Sequence, residues 1–191
     1  MTKNRLEAFS DGVLAIILTI MVLEMKVPRG TDLEALKPLI PVFLSYIMSF
    51  AYVLIYWNNH HHLFQAVKHI NGKVLLANGH LLFWLSLFPF ATGWMGENDF
   101  AKLPVLLYGI IVLMAAVSYT ILSNLLLKVH GPDSVLAKAL GKDLKGIISL
   151  VFYLSAIGFA CFYPLVSCAI FAIVAIIWLI PDKRIEKILY P

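Results

Sequence analysis

Of the chain's 191 residues, 61% are hydrophobic and only 14% are charged, with a mean hydropathy of +0.86. Soluble domains carry roughly 25% charged residues, so this composition excludes an ordinary water-soluble globule and makes the bilayer the natural solvent. The +4 formal charge does not signal nucleic acid, because the basic residues are spread through polar gaps rather than clustered on one segment. Cys161 and Cys168 are the only cysteines, and in an apolar stretch they read as small packing residues without a disulfide framework.

A spanning helix takes about 20 mainly apolar residues. The segment from Met1 to Val22 has a basic start and an apolar stretch, superficially like a secretory signal, but Glu7 and Asp11 interrupt it and no small-residue cleavage site follows. It reads as a retained helix. The chain then turns at Pro28-Arg29-Gly30, and Thr31 with Glu34 fits a capping box before the second span. Pro38 to Asn59, Val74 to Met95 and Leu103 to Leu127 are uncharged runs. Gly131-Pro132-Asp133 breaks the next connection, after which Ser134 to Asp143 suits a short interfacial helix. Gly146 to Ile180 is uncharged but too long for one upright helix, and Tyr163-Pro164 divides it. The prediction is therefore an all-α, polytopic, single transmembrane domain over 1–191, with helices at 4–26, 36–66, 73–95, 102–128, 143–162 and 164–181 and a short C-terminal segment at 182–191.

Cytoplasmic loops carry the excess of lysine and arginine. One side of this topology holds Lys3, Arg5, Lys68, Lys73, Lys128, Lys138, Lys142, Lys145, Lys183, Arg184 and Lys187, against Lys26, Arg29, Lys37 and Lys102 on the other. Both termini are thus expected in the cytoplasm of a multi-pass cell-membrane protein. The same asymmetry suits four spans with two re-entrant segments.

A charge at the centre of a spanning helix costs roughly 2.5–3.5 kcal/mol on insertion scales, so the ionisable residues of the first helix require a reason. Arg5 and Phe9 are four apart, as are Glu7 and Asp11, and each pair shares a face. A polar knot of Arg5, Ser10 and Asp11, or simple protrusion into the cytoplasm, both satisfy this spacing. Beyond Asp11 a wheel at 100° per residue gathers Gly12, Ile16, Thr19, Ile20 and Leu23 within about 100° of arc. Such a stripe is ordinarily a packing face. It lines a pore only if several subunits bring it to one axis, where apolar rings gate by dewetting and Thr19 supplies the nearest polar ring.

The second polar constellation is Trp57-Asn58-Asn59-His60-His61-His62. Three consecutive histidines suggest metal, yet neighbours on a helix point in different directions and cannot all reach one ion. No metal site is assigned. Trp57 suits the membrane interface, His60 suits a hydrogen-bonded role, and Asn78 with His80 lies at the level to complete a polar layer with Asp11 and His60. No phosphate loop, His-Glu-x-x-His pattern or nucleophile elbow occurs, so no enzyme is expected.

The run Arg5-Leu-Glu-Ala-Phe9-Ser10-Asp11-Gly12, followed by Ile16-x-x-Thr19, resembles the opening helix of the transmembrane protein 175 family, potassium channels of endolysosomes and prokaryotes. Trp57-Asn-Asn-His60-His-His-Leu63-Phe64 is similar to a second family segment, and Asn78 falls where the family's third helix carries asparagine. The likeness is close over three helices and extends to the rest only in number and hydrophobicity. It implies a six-helix subunit of a bacterial-type homotetramer in the lipid bilayer, its first helices lining a central pore without a Thr-Val-Gly-Tyr-Gly filter. Ile16 would be the main hydrophobic constriction, Ile20 and Leu23 further rings, and Thr19 a hydroxyl near potassium ions, with no cofactor or nucleic-acid partner. Arg5, Phe9, Ser10, Asp11, Trp57, His60 and Asn78 would form the motif network that ties the first helix to its neighbours. The rival is a proton-coupled carrier or proton pathway relaying through Asp11 and His60.

Overall fold

The computed structural model describes residues 2–140 and 143–180, and among these residues the regular structure is helical, with no strand. In chain order it comprises α1 (Lys3–Leu23), a 3-10 helix (Leu33–Leu39) running into α2 (Ile40–Gln65), α3 (Gly72–Ser86), α4 (Phe88–Glu97), α5 (Lys102–His130), α6 (Val135–Leu140), α7 (Leu144–Ala160) and α8 (Pro164–Leu179). Among the described residues, four stretches are long and apolar enough to cross a bilayer: Lys3–Leu23, Leu33–Gln65, Gly72–Glu97 and Lys102–His130. α7 and α8 are apolar but shorter, at 17 and 16 residues.

Caps and prolines set the boundaries. The Asp32 carboxylate, not Thr31, caps the 3-10 helix by accepting from the Ala35 N–H at 3.0 Å. The expected helix at 73–95 is divided: α3 ends at Ser86 and α4 begins at Phe88. Pro89 explains the division, because it has no N–H for the preceding turn and its ring crowds the carbonyl four residues back. Pro164 opens α8, a position where its missing N–H costs nothing. The short helix expected at Ser134–Asp143 is α6, capped by the Ser134 hydroxyl accepting from the Ala137 N–H at 3.1 Å. Its last part, residues 141–142, lies outside the described residues, as does 181–191 with Lys183, Arg184, Lys187 and the segment 182–191.

α5 is the hub, packing on α3, α4, α7 and α8, while α7 and α8 form a hairpin that also touches α2. α1 packs principally against α2, α3 and α4. The centre is aromatic: Tyr52, Phe88, Tyr108 and Phe171 are all buried, and the Tyr52 hydroxyl donates to the Phe171 carbonyl at 2.8 Å. α2 and α4 meet through small residues, the arrangement that lets helix backbones approach closely in lipid. Ser45 donates to the Thr92 carbonyl at 3.1 Å, Thr92 to the Ser49 hydroxyl at 2.6 Å, and Ser49 to the Tyr108 hydroxyl at 3.1 Å.

Gly96 is the tightest point of that contact, since a Cβ there would lie 2.6 Å from the Val42 Cα and 2.5 Å from the Ser45 hydroxyl. Gly96→Val is expected to cost about 2–3 kcal/mol by forcing α2 and α4 apart, lowering the melting temperature in detergent by about 5 °C or more. Gly158→Ala, at a helical position with open space around its Cβ, should not lower the melting temperature.

Candidate functional site

α1 has two unlike faces. Leu6, Ser10, Leu14, Ile17 and Met21 recur every three or four residues and are buried against the bundle. On the other side Gly12 and Thr19 are exposed, and Ile16, Ile20 and Leu23 are 58%, 40% and 79% exposed. Among the described residues, no other part of the chain covers this stripe. The Thr19 hydroxyl donates to the Ile16 carbonyl at 2.9 Å. Its proton is committed to the helix, so the hydroxyl oxygen presents itself outward as an acceptor suited to a cation.

Behind the stripe, three predicted residues meet in a buried chain across α1, α2 and α3. His60 Nε2 lies 2.8 Å from Asn78 Oδ1, Asn78 Nδ2 donates to Ser10 Oγ at 3.0 Å, and Ser10 donates to the Leu6 carbonyl at 2.9 Å. The amide orientation fixes the direction: Asn78 accepts on oxygen, so His60 carries its proton on Nε2. The His60 Nε2–H, the Ser10 hydroxyl and one Asn78 N–H each have an acceptor, which matters in an apolar bundle where an unsatisfied group costs several kcal/mol. A separate bond joins α1 to α2 nearer the surface, from Trp57 Nε1 to Asp11 Oδ1 at 3.1 Å, with Trp57 stacked on His61. Lys3 adds a third tie through its ammonium to the Val67 carbonyl at 3.1 Å.

Other expected members stand elsewhere. Arg5 is exposed and makes no hydrogen bond or ion pair among the described residues, and Phe9 is 60% exposed. Helix geometry is the reason: Arg5 and Phe9 share the azimuth of Ile16 and Leu23, well away from Ser10. His80 does not join the polar layer either. Two residues beyond Asn78, it faces α5, where Nδ1 lies 2.9 Å from the Ser118 hydroxyl and Nε2 accepts from Trp84 Nε1 at 3.0 Å. His61 pairs with Gln65 at 2.8 Å, and no group of three metal-ligating side chains occurs among the described residues. The Ser45, Ser49, Thr92 and Tyr108 cluster is the polar feature that sequence reading missed. Its signal was the small polar pair four apart on α2, matched by Thr92 and Gly96 four apart on α4.

The family model described as "Endosomal/lysosomal potassium channel TMEM175" matches residues 5–89, the stretch holding the stripe and the whole Ser10–Asn78–His60 chain. A potassium channel of Chryseobacterium sp. (strain P1-3) is 58% identical over 187 residues, covering 98% of this chain and 97% of that protein. The chain belongs to the TMEM175 family. The crystal structure of a lysosomal potassium-selective channel TMEM175 homolog from Chamaesiphon minutus superposes with a TM-score of 0.79 at 31% identity, covering 93% of this chain and 96% of that one. TMEM175 likeness thus extends through α5, α7 and α8, beyond the matched motif region. The human endosomal/lysosomal proton channel TMEM175 is 34% identical over 116 residues, 54% of this chain and 23% of that protein.

Proposed function

We propose that this TMEM175-family chain is the subunit of a passive potassium channel in the cell membrane, and that four copies bring the exposed stripe of α1 to a common axis. The observation that carries the reading is the stripe itself: large apolar side chains left uncovered on a helix whose opposite face is fully packed. Six spans are assigned to α1, α2, α3 with α4, α5, α7 and α8, both termini being cytoplasmic. α7 and α8, at 1.5 Å per residue, are each about 25 Å long and cross a core of about 30 Å with their flanking residues or local thinning. The potassium-channel names of the Chryseobacterium and Chamaesiphon relatives support the choice of permeant ion.

Mechanistically, Ile16, Ile20 and Leu23 form successive apolar rings at the axis, with the outward-facing Thr19 oxygens between them. An apolar ring conducts only when water and ion enter it together, and it closes by dewetting. Potassium is less strongly hydrated than sodium, so a ring that strips water penalises sodium more. Ser10, Asn78, His60, Asp11 and Trp57 hold α1 in place and do not touch the ion.

The vertebrate relatives are named proton channels, which favours a proton route through Asp11 and His60 as the second reading. The geometry disfavours it as a relay, because Asp11 bonds Trp57 while His60 bonds Asn78, and no hydrogen bond among the described residues links the two. Purified protein in liposomes with asymmetric potassium and sodium should give a reversal potential displaced toward the potassium equilibrium value, insensitive to a superimposed pH gradient, and a native mass of four chains. A reversal potential that follows the proton gradient would transfer the assignment to the second reading. A stable monomer would end the pore reading.

A further inference from the structure

Side chains of α2, α5, α7 and α8 that conduction does not use line a partly open cavity of about 40 Å³ at the end of the bundle where α7 begins and α8 ends. That volume holds roughly three waters or three small heavy atoms, at about 10–15 Å³ each. Its walls are aromatic: Tyr52, Tyr56, Tyr119, Tyr153 and Trp178. The polar edges of several rings are already committed, Tyr52 to the Phe171 carbonyl at 2.8 Å, Tyr119 to the Asn59 carbonyl at 3.2 Å, and Trp178 Nε1 to the Ser149 hydroxyl at 2.8 Å. An occupant therefore meets firmly held aromatic rings.

It also meets a carboxylate. Asp143 lines the same cavity, and its Oδ1 accepts from the Gly146 N–H at 2.9 Å. No ion pair to Asp143 occurs among the described residues. Gly146 makes room for this carboxylate, since a Cβ there would collide with it. Aromatic walls with a carboxylate at the rim attract an ammonium group through ring quadrupole and charge together, and they repel an anion. Lys145 stands outside the cavity, its ammonium 3.2 Å from the Ile180 carbonyl and 6.0 Å from the Trp178 ring centroid. The region thus carries a site for a cation and, two residues away, a cation able to meet a phosphate.

We propose that this cavity binds the primary ammonium of an ethanolamine-type phospholipid headgroup, with Lys145 engaging the adjacent phosphate. Ammonium plus two methylenes is three heavy atoms, which matches the space. The location favours a lipid over a free amine: with α7 and α8 assigned as spans, the end of the bundle where α7 begins and α8 ends stands at the headgroup level. This inference rests on the proposed spans of α7 and α8 but not on the pore.

The test is native mass spectrometry of the full-length protein reconstituted in bilayers of equal phosphatidylethanolamine and phosphatidylglycerol. The wild type is expected to retain phosphatidylethanolamine preferentially. Asp143→Asn keeps an equally good helix cap and should therefore keep its melting temperature, while the retained ethanolamine lipid falls by about fivefold or more. Lys145→Gln should lower retention as well, through the phosphate. Equal retention of both lipids by the wild type, or undiminished retention by Asp143→Asn, overturns the proposal. Free ethanolamine is then added to protein in bilayers of phosphatidylglycerol alone. No rise in melting temperature is expected, and a rise abolished by Asp143→Asn would assign the site to a soluble amine and overturn the lipid source.

Discussion

Ile16→Asn should move the potassium-to-sodium permeability ratio toward unity and raise total cation flux in liposomes. The side chain stands 58% exposed on the uncovered face of α1, so asparagine there meets no packing penalty within the subunit. Under the proposed assembly it replaces one apolar ring by four amides that hold water and stabilise either ion, removing the dewetting barrier and the dehydration difference together. Ile17→Asn provides the contrast, because Ile17 is buried on the packed face one residue along. An amide buried there without a partner costs about 1–3 kcal/mol on mutational scales and should lower the melting temperature rather than alter selectivity. Unchanged selectivity in a folded Ile16→Asn tetramer would remove Ile16 from the ion path.

Asn78→Leu should be the most damaging single change in the polar chain behind the stripe. Leucine occupies a similar volume but offers no acceptor, leaving the His60 Nε2–H without a partner in a buried site. Ser10 loses less, since its own proton stays on the Leu6 carbonyl. An orphaned buried donor costs about 1–3 kcal/mol, which corresponds to a fall of roughly 2–10 °C in melting temperature for a chain of this size. Removing both ends of the bond tests the cause: the double variant His60→Leu with Asn78→Leu should recover part of the lost stability, because no donor is then left unpaired. A double variant whose loss equals the sum of the two single losses would show that packing, not hydrogen bonding, sets the cost.

Periodicity made the two faces of α1 legible, since one helix of known pitch decides which residues share an azimuth. The same rule, applied to Arg5, places it with Ile16 and not with Ser10; the motif spacing alone concealed this because a linear signature carries no angle. His80 went astray for the same reason, two residues being more than half a turn. The break at Leu87 was written in Pro89, but an uninterrupted uncharged run masked it. Asp32 displaced Thr31 as a cap because its carboxylate stands one residue nearer the first turn, a choice that depends on local backbone geometry. The aromatic cavity was not legible at all: its walls come from four helices spread over 127 residues, from Tyr52 to Trp178, and only their packing brings them together.

The fastening of α1 is uneven along its length. Ser10, Asp11 and Lys3 bond it to its neighbours in the first half, whereas in the second half its cross-helix polar contact among the described residues is the Met21 sulfur with the Thr92 hydroxyl at 3.9 Å. Any tilt of the helix would therefore have its fulcrum near Ser10. At 1.5 Å per residue, Ile16 lies about 9 Å along the arm and Leu23 about 20 Å, so a tilt of about 5° moves them by roughly 0.8 and 1.7 Å. Under the proposed assembly, one small swing would displace the Leu23 ring about twice as much as the Ile16 ring, making the aperture at Leu23 the more compliant of the two.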